Sequence, residues 1–255
     1  MPKAPLHDDR ASDPAVIRVR GLTKKFGSFT AVDDITFSIR GGEILGFLGP
    51  NGAGKTTTIK MMTGLLRITS GEVRVQGMDI RRNLRRIKPL IGYMSQKFSL
   101  YPLLTGFENL EFFGGISGLS AGEIHGHKQT LADLVPEKVL RQKTGDVPPG
   151  IRQQVALYTC LMPDPEIILL DEPTSGVDPE NRRRFWTRIY ELKTAGKTVL
   201  VTTHNLDEAE FADRILIIHR GRIIREGDPS ALREQAGAES MEDLFKQAIT
   251  EDEKT

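Results

Sequence analysis

The chain has 255 residues, long enough for one domain or for a domain with a subdomain. Its 35 basic and 34 acidic side chains leave a formal charge of +1, which argues against bulk nucleic-acid binding. The single cysteine, Cys160, excludes an internal disulfide and fits a reducing compartment, and no apolar run approaches the roughly eighteen residues of a membrane span.

In chain order, residues 1–14 are expected to be disordered. Met1 to Asp13 is polar, carries two prolines and lacks the apolar stretch of a secretory signal. A β-rich opening follows, with short runs at Ile17 to Val19, Ala31 to Val32, Ile35 to Ile39 and Glu72 to Val75. Ile44-Leu45-Gly46-Phe47-Leu48 reads as a buried strand, and Thr57 to Leu65 as a helix. Strand and helix then alternate through Leu48, Ile91, Leu170, Val201 and Ile217, the pattern of a parallel α/β core. Between Gln96 and Asp146 the pattern turns helical, at Thr105 to Phe113, Ala121 to Leu134 and Glu137 to Gln142. Another helix is expected over Arg152 to Met162, with Cys160 in its apolar run. Pro229 to Ile249 reads as two short helices, and the charged tail Thr250 to Thr255 as disordered.

Gly49-Pro50-Asn51-Gly52-Ala53-Gly54-Lys55-Thr56 fits the phosphate-loop pattern G-x-x-x-x-G-K-[S/T] at every fixed position. The strand before it and the helix opening at Thr57 are the context that pattern requires. Glycines let successive N–H groups close around phosphate oxygens with no Cβ in the way. The helix N-terminus adds free N–H groups and the positive end of its dipole. Lys55 is expected to reach the β- and γ-phosphates of a bound nucleotide, and the Thr56 hydroxyl to ligate Mg²⁺.

Ile167-Ile168-Leu169-Leu170-Asp171-Glu172 is an apolar run ending in two carboxylates. A core parallel strand of this kind delivers acids to the carboxyl end of a sheet, where ligands bind in open α/β folds. Asp171 is expected to hold Mg²⁺ through water, and Glu172 to orient or deprotonate an attacking water.

The stretch Asp171-Glu172-Pro173-Thr174-Ser175-Gly176-Val177-Asp178 resembles the Walker B and D-loop segments of ABC-transporter ATPase subunits. The resemblance runs from about Ile17 to Gly227. It implies a P-loop NTPase parallel core sheet over residues 15–228, with an N-terminal antiparallel β subdomain and a helical subdomain inserted at about 97–160. Residues 229–255 would form a C-terminal helical extension and charged tail. It implies ATP and Mg²⁺ as ligands. Phe26 would stack on adenine, Gln96 would contact Mg²⁺ or water, and His204 would contact the γ-phosphate. His204 is suited to this, because a strand-end imidazole offers a donor in either tautomer. Asp178 belongs to the D-loop. The C-terminal Ser240-Met241-Glu242-Asp243-Leu244-Phe245 adds to a likeness with bacterial class-2 and drug-export ATPase subunits.

One segment departs from the family pattern. Members work as pairs, each giving a signature segment, usually L-S-G-G-Q, to its partner's ATP. Here Val147-Pro148-Pro149-Gly150-Ile151 stands in that place. Pro148 removes the serine hydroxyl, and two prolines remove two backbone donors. The N–H groups of Gly150, Ile151 and Arg152 are expected to remain at the helix start. Losing one transition-state donor costs at most about 10²–10³ in rate.

The resemblance further implies a second ATPase subunit, identical or different, and membrane-spanning permease subunits docking near residues 96–113. It places the chain peripherally on the cytoplasmic face of a bacterial inner membrane. The aromatic-rich stretch Phe98 to Phe113 divides between core and a docking surface. The basic run Arg81 to Lys88 reads as a solvated helix face, with lipid headgroups as the alternative. His125 and His127 lack a third ligand nearby and read as solvated rather than metal-binding. Two rival functions stay open: a hydrolysis-poor subunit that needs a partner with an ordinary signature, and a soluble ABC ATPase outside transport.

Overall fold

The structure is a computed structural model and describes residues 15–96 and 100–254. The expectations placed on residues 1–14, on Phe98 and on Thr255 lie outside the described residues.

β1 (Ala15–Phe26) and β2 (Phe29–Arg40) form one long antiparallel hairpin. The short runs expected here join because Asp34 takes a φ of 52° and register shifts absorb the breaks in alternation. β3 (Ile44–Leu48), buried at every position, leads through the glycine loop into α1 (Lys55–Met62). β4 (Ser70–Val75) and β5 (Met78–Asp79) return to the first sheet, whose order is β2-β1-β4-β5. α2 (Ile80–Ile87) carries the basic run, with Ile80 and Ile87 buried and Arg81, Arg82, Arg85 and Arg86 exposed.

β6 (Ile91–Met94) precedes a helical block: α3 (Gly106–Ile116), α4 (Ala121–Leu134), α5 (Glu137–Leu140) and α6 (Pro149–Leu161). Capping boxes start α3 at Thr105/Glu108 and α4 at Ser120/Glu123, satisfying the first-turn N–H groups. The block has its own apolar cluster around Leu110, Leu131, Leu140 and Val155. α6 begins at Pro149, ahead of the expected Arg152, because proline's fixed φ suits a first helical turn.

β7 (Ile167–Asp171), α7 (Pro179–Thr194), β8 (Thr198–Thr203), α8 (Leu206–Ala209), β9 (Arg214–His219) and β10 (Arg222–Gly227) complete the core. The second sheet runs β10-β9-β3-β8-β7-β6, parallel from β9 to β6, with β10 antiparallel at its edge. β3, β7, β8 and β9 are buried along their whole length, as strands covered on both faces must be. β8 lies between β3 and β7, so the ends of all three strands open at one edge.

α9 (Pro229–Ala236) and α10 (Met241–Glu253) close the chain. α10 runs through Glu253, so residues 250–253 are helical rather than disordered. Its last turn is fastened to the β9–β10 hairpin: His219 Nδ1 meets Asp252 Oδ2 at 2.8 Å, and Arg220 donates to Glu253 at 2.9 Å. Those partners, distant in sequence, are what hold the charged end in place.

Candidate functional site

The loop 49–54 folds back between β3 and α1. Gly52 and Gly54 have φ of 81° and 108°, open to glycine and costly for other residues. A Cβ on Gly49 would lie 2.4 Å from Ile218 O, and one on Gly54 2.7 Å from Ala31 O. The glycines are therefore demanded by the walls of β9 and β2 as well as by any ligand. The turn between β9 and β10 supports the loop from behind, Gly221 N–H donating to Ala53 O at 3.0 Å. Lys55 is buried, and its ammonium donates to Gly49 O at 2.6 Å and Pro50 O at 3.1 Å.

Glu172 collects the remaining groups. Its Oε1 lies 3.2 Å from Lys55 Nζ, and its Oε2 accepts from Gln96 Nε2 at 2.8 Å and lies 3.2 Å from His204 Nδ1. Lys55, Gln96, Glu172 and His204 thus converge from four separate segments. Glu172 is buried and takes a φ of 48°, a left-handed conformation that strains a residue with a side chain. Its N–H is held by β8, through Thr202 Oγ1 at 2.9 Å and Thr202 O at 3.2 Å.

Asp171 is 1% exposed and sits beside Thr56. Its Oδ1 accepts from Thr56 Oγ1 at 3.0 Å and from Thr202 Oγ1 at 2.8 Å, while Oδ2 is buried with no hydrogen-bond partner. Burial pushes its pKa up, opposed by the hydroxyls of Thr202 and Thr56, and Glu172 pushes it up further. Tyr93 on β6 is likewise raised, by burial first and then by the Asp171 charge. An unpartnered buried carboxylate oxygen beside a threonine hydroxyl is a donor set suited to a hard divalent cation, so the residues fit Mg²⁺.

A cavity of about 490 Å³ opens over the loop and is lined by residues 51–57, Gln96, Glu172, Phe26, Phe29 and Ala31. Phe26 is 49% exposed, and Lys24 Nζ stands 4.8 Å from its ring centroid. Phe26 and Phe29 pair across the hairpin, so both rings share one face.

Gly150 and Asp178 lie outside that cavity but share a neighbour. Asn181, on the first turn of α7, donates its N–H and its amide to the Asp178 carboxylate at 3.0 and 2.8 Å. Those bonds hold the Asp178 pKa below the ordinary carboxylate value. A Cβ on Gly150 would meet Asn181 Cγ at 2.6 Å. One expectation here is corrected. Arg152 N–H donates to Pro148 O at 3.0 Å, because the helix starts earlier than predicted, so only the N–H groups of Gly150 and Ile151 are left over. Pro148 offers no side-chain cap.

Sequence reasoning missed Thr202, Phe29 and Asn181. Thr202 is a hydroxyl in an apolar strand, which reads as ordinary β propensity until its neighbours are known. Phe29 differs from a core aromatic only in flanking the same tight turn as Phe26. His125 Nε2 lies 3.2 Å from Gln129, and His127 Nδ1 3.2 Å from Tyr158 Oη, the two rings taking separate partners. Burial pushes the Cys160 thiol up to about 12, where it faces Gly92 of β6 as an inert group.

A P-loop fold with this pair of sheets, an inserted helical block and an acid strand beside the loop defines an ATP-binding cassette. The ABC transporter family profile matches residues 32–175, and the chain belongs to that family. A shorter match to the AAA domain, putative AbiEii toxin, Type IV TA system, covers residues 150–208. The chain is 45% identical over 240 residues to the probable multidrug ABC transporter ATP-binding protein YbhF of Escherichia coli (strain K12), covering 92% of this chain and 42% of that protein. It therefore spans less than half the length of that relative. It is 36% identical to the linearmycin resistance ATP-binding protein LnrL of Bacillus subtilis (strain 168), covering 92% of this chain and 76% of that one. Among solved structures, a dimeric bacterial ABC transporter cassette matches with a TM-score of 0.76 at 29% identity, over 83% of this chain and 98% of that one. The same cassette is known in a post-hydrolysis state bound to ADP and Pi.

Proposed function

We propose that the chain binds and hydrolyses ATP to power an ABC exporter, closing as a pair on ATP and opening after hydrolysis. The observation that carries this reading is the Glu172 carboxylate, held among Lys55, Gln96 and His204 beside the Thr56–Asp171 pair. Residues 49–57 would cradle the phosphates, and Phe26 would stack on the base. Mg²⁺, held by Thr56 and by Asp171 through water, with Gln96 nearby, would neutralise phosphate charge. Lys55 would leave the carbonyls of Gly49 and Pro50 for phosphate oxygens, freeing one face of Glu172. Glu172 would then orient and deprotonate the attacking water, and His204 would present Nε2 to the developing charge. The relatives' names, a multidrug transporter and a linearmycin resistance protein, support a role in drug transport, and the dimeric cassette supports pairing.

Partners follow from the same reading. Gly150 and Asp178 would serve the nucleotide of the second subunit. Permease subunits would dock near residues 96–113, where Tyr101, Leu103 and Phe112 are exposed. Among the described residues no helix is long and apolar enough to cross a membrane. The chain would sit peripherally on the cytoplasmic face of a bacterial inner membrane, held there by those subunits.

Steady-state turnover of the purified chain beside Glu172→Gln tests this. The variant should lose about 10²–10⁴ in kcat while still binding ATP. Equal turnover in both proteins would remove Glu172 as the base.

A second reading has its own observation. The N-terminus of α6 has lost a hydroxyl, and only two N–H groups there are unused. In that reading the chain hydrolyses poorly alone and pairs with an ATPase that carries an ordinary signature. Pro148→Ser combined with Pro149→Gly should then raise homodimer turnover. No gain would leave the homodimer reading standing.

A further inference from the structure

We infer that Glu208 is a positioning residue that ties the segment around His204 to the loop running from Glu172 to Asp178. The inference rests on the ATPase reading above and adds a route by which that site senses its surroundings.

Glu208 is 2% exposed and sits on α8, four residues past His204. Its Oε1 accepts from Thr174 Oγ1 at 2.6 Å, and its Oε2 accepts from Thr203 Oγ1 at 2.8 Å. Arg182 Nε of α7 stands 3.3 Å from Oε1. Thr174 lies two residues past Glu172, and Thr203 is the residue before His204. Thr203 Oγ1 also accepts from Asn205 N–H at 2.9 Å, which fixes the turn that carries the imidazole. Arg182 donates to Val177 O at 3.3 Å, one residue before Asp178. One carboxylate therefore touches the loop after Glu172 at Thr174 and the end of β8 at Thr203, and faces Arg182 of α7, which reaches the same loop at Val177.

A buried carboxylate is a costly way to fill space. Desolvating one costs several kcal/mol, whereas an apolar side chain could fill the same volume. Its two short hydroxyl bonds are charge-assisted and directional, which apolar packing is not. The segments it joins are buried and bonded to neighbouring strands, yet they leave a small void between them. A cavity of about 60 Å³ lies among Glu172, His204, Arg182 and Glu208. Glu208 spans the edge of that cavity. Arg182 Nε, although close, has no aligned acceptor, so the third arm is near its partner without a formed hydrogen bond. A small rotation of α7 against α8 would align it. Motion at Val177–Asp178, the segment facing the second subunit in the proposed pair, would then reach Thr203 and His204 through Glu208.

The test uses the full chain and Glu208→Gln, with Thr203→Val and Thr174→Val each removing one arm. Steady-state kinetics, melting temperature and the His204 ring signals in ¹⁵N-histidine NMR spectra are recorded. Glu208→Gln should lower kcat about tenfold, with KM for ATP and the melting temperature near wild type, and should shift or broaden His204 while His125 and His127 stay put. Glu208→Asp should recover part of kcat. Thr203→Val should add little in a Glu208→Gln background, because both remove the same link. Wild-type kcat with an unmoved His204 signal in Glu208→Gln would overturn the inference. So would kcat, KM and melting temperature falling together, with Thr203→Val fully additive, since that pattern marks a merely structural role. If Glu208→Gln does not fold, the two threonine variants carry the same kcat and NMR comparison, and additivity between them overturns the link. If the wild-type chain binds ATP without turning it over, the hydrolysis reading fails on its own, and the His204 signals still decide whether Glu208 positions that ring.

Discussion

Asp171 is a buried carboxyl group with one oxygen accepting two hydroxyls and the other left without a hydrogen-bond partner. Its folded pKa is raised, chiefly by burial. A raised carboxyl binds its proton more tightly folded than unfolded. Stability is therefore lost as pH rises from the ordinary carboxylate range through the raised value, and the deficit is complete above it. Asp171→Asn should accordingly melt higher than wild type at neutral pH, by about 2–4 °C for each kcal/mol recovered, and the gap should close in acid. Mg²⁺-ATP should raise the melting temperature of wild type more than that of the variant; calorimetry across pH checks both. At this scale the sequence located well the residues that a motif fixed. Lys55, Asp171, Glu172, Gln96 and His204 do come together. It displayed poorly what depends on register between strands, so Thr202, which touches both acids, was invisible until β7 and β8 were aligned at Asp171 and Thr202.

The glycine loop shows how elements constrain one another. Gly52 has a positive φ and open space around its missing Cβ, while Gly49 is pressed against the backbone of β9. Gly52→Ala should cost about 1–2 kcal/mol through backbone strain alone. Gly49→Ala should cost far more, because Ile218 is held in β9 between its pairing with Ile223 of β10 and the adjoining Leu48–Ile217 pair with β3. Urea denaturation of the two variants separates them. Element boundaries were legible wherever a cap or an alternating pattern marks them, as at Ala121–Leu134. They were misjudged where a distant partner decides. β2 runs unbroken past Asp34 because β1 pairs with it, and α10 reaches Glu253 because the β9–β10 hairpin holds its acidic end.

Across the whole molecule, the C-terminal helix is coupled to the nucleotide loop by a short path. α10 grips the β9–β10 hairpin through His219 and Arg220, and the hairpin turn holds Ala53 O and, through Gly221 O, the N–H of Asp33 on β2. Asp252→Ala with Glu253→Ala should loosen that turn and weaken ATP binding severalfold, with the fold retained, since the exposed Arg220–Glu253 ion pair is worth only about 0–1 kcal/mol and His219 loses a single hydrogen-bond partner. Titration calorimetry with ATP reads this directly, and unchanged affinity would mean the hairpin holds without the helix. The parallel sheet was visible from the alternation of strands and helices, and the antiparallel one from a β-rich opening together with the family resemblance. The closure of the chain's end onto the back of the site was not, because charged residues at a terminus carry no sign of what they will meet.

Position 172 carries two features that pull against each other. Its backbone, at φ 48°, is one that glycine adopts freely, while the proposed base needs a carboxylate there. The two features separate under selection. A population screened for heat resistance alone would drift toward glycine or asparagine there and grow more robust as it went silent. A population screened for turnover would keep glutamate and gather its compensating changes elsewhere.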